Sequence, residues 1–144
     1  MRSMRAAALG VALTMAAGGA AAQDGGADPG LGRSEYLALC AQCHGLQGEG
    51  DGIIAQYLTT QPPDLTAIQA RNGGVFPFQD IYDVIIGGAE TGPHGTREMP
   101  AWGNRYAAEA PWVLGWQHTA EERDAFIRSR VLALVAYLAT IQTD

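Results

Sequence analysis

The 144-residue chain contains no lysine; its nine basic residues are all Arg, and fifteen Asp and Glu bring the net charge to −6. A chain this poor in cations lacks the dense basic surface that neutralises a phosphate backbone, which excludes nucleic acid as its partner. Cysteine is as scarce. Only Cys40 and Cys43 occur, too few for a disulfide scaffold, so metal, redox and cofactor-attachment chemistry remain. Long apolar runs are missing too: the most apolar segment after the N-terminus, 131–141, is eleven residues long, well short of the roughly 20 that span a bilayer. No stretch alternates with the period of two that marks a half-buried strand, and no internal repeat occurs.

Glycine, by contrast, is plentiful at 19 residues, which predicts many turns. The N-terminus carries Arg2 and Arg5, an Ala-rich apolar stretch from Ala6 to Ala17, and a small-residue end at Ala20-Ala21-Ala22. This order reads as a secretory signal peptide over 1–22, cleaved on export to the periplasm. Removing it leaves seven Arg against fifteen acidic residues, a net charge of −8, and leaves Met99 as the one methionine. Residues 23–31 read as a flexible leader of Gly, Asp, Pro and Ala, and 32–142 as one domain.

Within that domain the pattern is helical. Tyr36, Leu37, Leu39 and Cys40 share one side of a first helix, and Ile53 to Leu58 forms a short amphipathic piece ended by Gln61-Pro62-Pro63. The spacing from Phe78 to Ile86 predicts a helix stopped at Gly87-Gly88. Thr119-Ala-Glu-Glu122 is a capping box opening a last helix, with Ile127, Val131, Leu134, Leu138 and Ile141 as its core stripe. A second loop, Ala89 to Asn104, holds His94 and Met99. The expected class is all-α, a few helices tied by long Gly/Pro loops, and such loops are usually functional or held by something.

Cys40-Ala41-Gln42-Cys43-His44 is the attachment motif of c-type haem. Two thiols three residues apart on a helical turn can reach the two vinyl groups on one porphyrin edge, and the next residue, His44, can ligate the iron. Two other readings of the pair are a thioredoxin-like dithiol, which calls for a βαβ context, and half of a zinc site, which calls for a second short-spaced Cys/His pair. Neither context is in the sequence. For the sixth iron position the candidates are Met99, His94 and His118. Met99 is favoured because it lies in a Gly/Pro-rich loop away from any helical core stripe. His94 then reads as a loop imidazole and His118 as the residue before the capping box.

With these residues the chain resembles a class I cytochrome c of the small bacterial periplasmic kind, over about residues 32 to 141. Gly32, Tyr36 and Cys40 match the family's Gly/aromatic/Cys spacing on its first helix, and Leu134 and Tyr137 match the Leu-x-x-aromatic pair on its last. The resemblance implies the cytochrome c fold, with N- and C-terminal helices crossing at Gly32 and one covalent haem c. It also implies that Pro63 of Pro63-Asp64-Leu65 accepts the His44 N–H. Two departures stand out: a Lys-rich docking rim is missing, and 104–118, with Trp112 and Trp116, is additional. Those two Trp read as buried cover for the haem in preference to a docking patch.

The function implied is one-electron carriage with His44 and Met99 as axial ligands, free or as a dehydrogenase subunit. The redox partner is expected to present a basic face. The alternative is a haem peroxidase or ligand sensor in which Met99 is displaced.

Overall fold

The computed structural model describes residues 29–87 and 99–143. Residues 1–22, read as a signal peptide, residues 23–28 of the expected leader, and His94 lie outside the described residues. The elements are all helical: α1 Pro29–Leu39, α2 Ala41–His44, α3 Ile68–Arg71, α4 Phe78–Ile86, α5 Trp102–Leu114 and α6 Ala120–Thr140, with a 3-10 turn at Ala55–Tyr57. No strand occurs among the described residues, and none of their helices is long and apolar enough to cross a membrane.

Helix α6 is the spine. Its predicted capping box forms in full, with Glu122 N–H donating to Thr119 Oγ1 at 3.1 Å and Thr119 N–H donating to Glu122 Oε2 at 2.7 Å. Of the predicted stripe, Val131, Leu134 and Leu138 are buried, while Ile127 and Ile141 pack at its ends. Phe126 and Val135 widen it, so α6 meets α1, α4 and α5 at once. A stripe that broad serves three neighbours, where a single partner helix would need only a narrow seam.

Helices α1 and α6 cross at Gly32. A Cβ there would run into the Ala133 carbonyl and come within 2.8 Å of Tyr137 Cβ. The absent side chain therefore lets the two backbones approach, and the Tyr36 and Tyr137 rings close the contact at 5.2 Å. We expect Gly32→Ala to lose about 1–3 kcal/mol by overpacking, despite the better helix propensity of Ala. A urea melt of the two proteins measures it; equal midpoints would rule out a tight crossing.

A second polar tie joins three helices. Glu35 of α1 accepts from Tyr106 Oη of α5 at 2.9 Å and pairs with Arg130 of α6. The Tyr106 hydroxyl is pushed well above its ordinary value, by burial first and then by the Glu35 carboxylate. It stays a donor throughout the ordinary pH range.

Helix α4 has the predicted bounds and ends at Gly87, whose φ of 98° is the left-handed conformation of a C-cap. Three expectations are corrected. Helix α1 begins at Pro29, inside the segment read as leader, because Pro suits the first turn, where its missing N–H is not needed. The loop containing Met99 ends at Ala101, since Trp102 to Leu114 is helical. Trp112 and Trp116 are not buried: they are 77% and 72% exposed. Trp112 follows Pro111 on the last turn of α5, and the faces that α5 turns inward carry Gly103, Tyr106 and Ala110 instead.

Candidate functional site

The Cys40–His44 segment sits where α1 ends. Cys40 N–H still donates to Tyr36 O at 2.8 Å, but the chain then tightens, with the N–H groups of Cys43 and His44 both turning to Cys40 O. Tyr36 Oη donates to Gly45 O at 2.6 Å, fastening the far end of this turn to α1. The Gly-rich loop folds back over the same turn: Gly50 N–H donates to His44 O at 2.8 Å and Gly52 N–H to Cys43 O at 3.1 Å. Only glycine fits at position 52, where a Cβ would lie 2.5 Å from the Cys43 carbonyl carbon.

Loop residues also place the proline behind the histidine. Leu65 N–H donates to Gly48 O at 2.6 Å, and Gln61 Nε2 donates to Gly50 O at 2.5 Å. Pro63 O thereby stands 3.4 Å from His44 Nδ1. A carbonyl can only accept, so Nδ1 is the donor in this contact. His44 itself is buried. Pro63 thus orients the imidazole, as second partners orient metal-binding histidines.

Asp64 holds the turn beyond. Its Oδ1 accepts from Thr66 N–H at 2.8 Å and Thr66 Oγ1 at 2.6 Å, and the Thr66 hydroxyl is the main reason its carboxyl lies below the ordinary 3.8. A carboxylate with a depressed folded-state value contributes stability that is present above about pH 4 and is lost as pH falls through that value. Asp64→Asn should therefore lower stability at pH 7 and flatten its acid dependence below pH 4. A thermal melt series from pH 3 to 7 checks this, and parallel curves for the two proteins would remove Asp64 as the cause.

Around this turn opens a cleft of two lobes, about 190 and 730 Å3. The larger falls within the roughly 300–1,000 Å3 of small-molecule sites. Four residues line both lobes: Cys40, His44, Pro63 and Met99. Cys43 lines the smaller lobe; Ile85 of α4 and Leu134 and Leu138 of α6 make the apolar wall of the larger. The structure thus brings Cys40, Cys43, His44 and Met99 to one cleft. It keeps His118 away, at the α5–α6 turn, where its Nδ1 lies 2.6 Å from Gly115 O.

Comparison with known protein families, curated proteins and solved structures finds no match. What the cleft can hold is therefore judged on its own donors. Among the described residues no group of three or more His, Cys, Asp or Glu is placed to hold a metal ion. The donors present are two thiols, one imidazole and one thioether in apolar walls.

Burial, with the Glu35 carboxylate and Cys43 adding to it, pushes the Cys40 thiol up to about 12. Dithiol exchange needs a thiolate near neutrality, which enzymes obtain by lowering this value. Cys40 is tuned the opposite way.

Two lining residues escaped the sequence reading. Trp102, with Arg105 stacked on its ring at 5.9 Å, walls the smaller lobe; its position just after Met99-Pro100-Ala101 was the available signal. Arg71, at the edge of the larger lobe, donates from Nη2 to Asp64 O at 2.5 Å. The stretch Arg71-Asn-Gly-Gly-Val-Phe-Pro shares in the family resemblance, but the sequence assigns its Arg no role.

Proposed function

We propose that the chain is an exported, class I cytochrome c-like electron carrier, with one haem c held in the cleft. The observation that carries this reading is that Cys40, His44 and Met99, the motif residues and the favoured sixth ligand, line both lobes of one apolar cleft. Cys40 and Cys43 would hold the group through thioethers, and His44 and Met99 would supply its axial ligands. When bound, such a group supplies a reversible Fe(III)/Fe(II) couple.

The chain's own residues do the rest. Pro63 O fixes the His44 tautomer and raises the donor strength of Nε2. Met99 offers a soft sulfur, which favours the lower charge and so a higher reduction potential than a second imidazole would. Ile85, Leu134 and Leu138 give the larger lobe an apolar wall, and low dielectric beside it again disfavours the more highly charged state. His44 and Met99 together would leave a substrate no place on the metal, and the chemistry supplied would be outer-sphere transfer of single electrons. The −8 charge after signal removal selects a redox partner with a basic face and makes their association weaken as salt rises.

The test is a pyridine haemochrome assay on the chain exported by cells that mature c-type cytochromes. One haem per chain, resistant to acid-acetone extraction, is the expected result; no haemochrome would overturn the proposal.

A further inference from the structure

The exposed Trp pair belongs to no part of the cleft. Trp112 and Trp116 meet edge to face, with centroids 5.2 Å apart and planes at 73°. Val113 and Leu114 are exposed beside them, so four large apolar side chains share one short stretch of surface. Contiguous apolar surface of this kind marks an interaction site more often than scattered single residues do.

The local backbone holds the pair in place. Gly115 turns the chain at φ 92°, with nothing within 4 Å of its missing Cβ. His118 Nδ1 at Gly115 O closes the turn, and the Thr119 capping box starts α6 directly afterwards. Two rigid rings on a braced turn lose little freedom on binding, which suits them to act as an anchor.

The rim decides the partner. Glu109 stands one turn before Trp112 on α5, and Glu121 and Glu122 occupy the first turn of α6 just beyond Trp116. Over residues 105–124, Glu109, Glu121, Glu122 and Asp124 outnumber Arg105 and Arg123, and Arg123 is paired with Asp124 at 3.3 Å while Glu122 closes the capping box. The patch is therefore apolar at its centre and acidic at its edge. A second copy of the chain would set acidic rim against acidic rim, and an anionic membrane would repel it in the same way.

We propose that Trp112 and Trp116 anchor a protein partner that offers an apolar pocket rimmed by Arg or Lys. The anchor is a different surface from the cleft, since Trp102 at the cleft wall and Trp112 are ten residues apart on α5, about 15 Å along its axis. This deepens the partner side of the proposed function and rests on that reading only for the partner's being a redox protein. Haemochrome content is measured on the same samples, so failure of the carrier reading shows separately.

The experiment titrates the full mature chain with a synthetic amphipathic peptide, Leu on one face and Arg on the other, and follows Trp fluorescence. Parallel titrations use the same peptide with Glu for Arg and vesicles of phosphatidylcholine with phosphatidylglycerol. Sedimentation tests the chain alone. We expect the Arg peptide to bind, more weakly at higher salt, and at least tenfold more weakly to Trp112→Ala/Trp116→Ala; the Glu peptide should not bind. Because both side chains are exposed, the variant should melt as the parent does, and Trp116→Gln alone provides a milder check. Equal binding by the variant, no binding at all, Trp-dependent vesicle binding, or Trp-dependent dimers would each overturn the proposal.

Discussion

With haem held as proposed, Met99→Ala should abolish the weak sulfur-to-iron charge-transfer band expected of the oxidised protein and lower its reduction potential, by a substantial part of the roughly 0.8 V over which axial ligands act. Met99 is the one methionine outside the signal segment, so no second thioether can take its place. It lines both lobes of the cleft beside His44, and Ala cannot reach across the gap that is left. Cyanide, slow to enter the parent protein, should then bind rapidly. An unchanged spectrum in the variant would remove Met99 from the coordination sphere. Rapid cyanide binding by the parent, with no charge-transfer band, would favour the peroxidase or sensor reading, because Met99 would then be displaceable in the native protein.

The second large effect concerns folding. Cys40→Ala/Cys43→Ala, exported in the same way, should accumulate as a chain with little cooperative structure, sensitive to protease and without a sharp thermal transition. The argument is one of size. A cavity of about 730 Å3 lies against α4 and α6. At roughly 24 cal/mol per Å3 an enclosed, unfilled cavity of that volume would cost on the order of 18 kcal/mol, an upper limit here because its mouth is open to solvent. Domain stabilities are about 5–15 kcal/mol, so a group that fills the cleft is on the scale of the whole fold, and it stabilises the folded state by binding that state alone. A double variant with the parent's melting temperature would show that the core suffices without such a group.

The sequence patterns that survived are those whose cause is local. The α4 helix with its Gly87 stop and the Thr119–Glu122 capping box each depend on a few neighbouring residues whose chemistry has one solution; the Gly32 crossing is tertiary and was legible only through the resemblance. The gathering of Cys40, His44 and Met99 was legible because the motif and the loop methionine have few other uses. Helix α5 was not legible. Gly103 and Pro111 interrupt its pattern, and its reason for being helical is tertiary: Gly103 lets α4 approach, with Ile86 O 2.6 Å from where a Cβ would be, while Tyr106 reaches Glu35. The exposure of Trp112 and Trp116 was illegible for a related cause. A Trp is normally worth burying, and only the register of α5, set by Tyr106 and Ala110 facing inward, turns Trp112 out.

The crossing of α1 and α6 also sets an order of events during biogenesis. Gly32 meets Ala133 and Tyr137, and the tail then ties back to the middle of the chain, with Gln142 Nε2 donating to Leu65 O and Thr143 N–H to Thr66 O. These pairings span 77 residues or more, so closing them is entropically late and slow compared with forming any single helix. Under the proposed function, a chain exported N-terminus first would present Cys40 and Cys43 before the helix that completes their surroundings had emerged. The thiols would then be open to attachment chemistry for an interval set by the arrival of α6, and slowing that arrival should lengthen the interval.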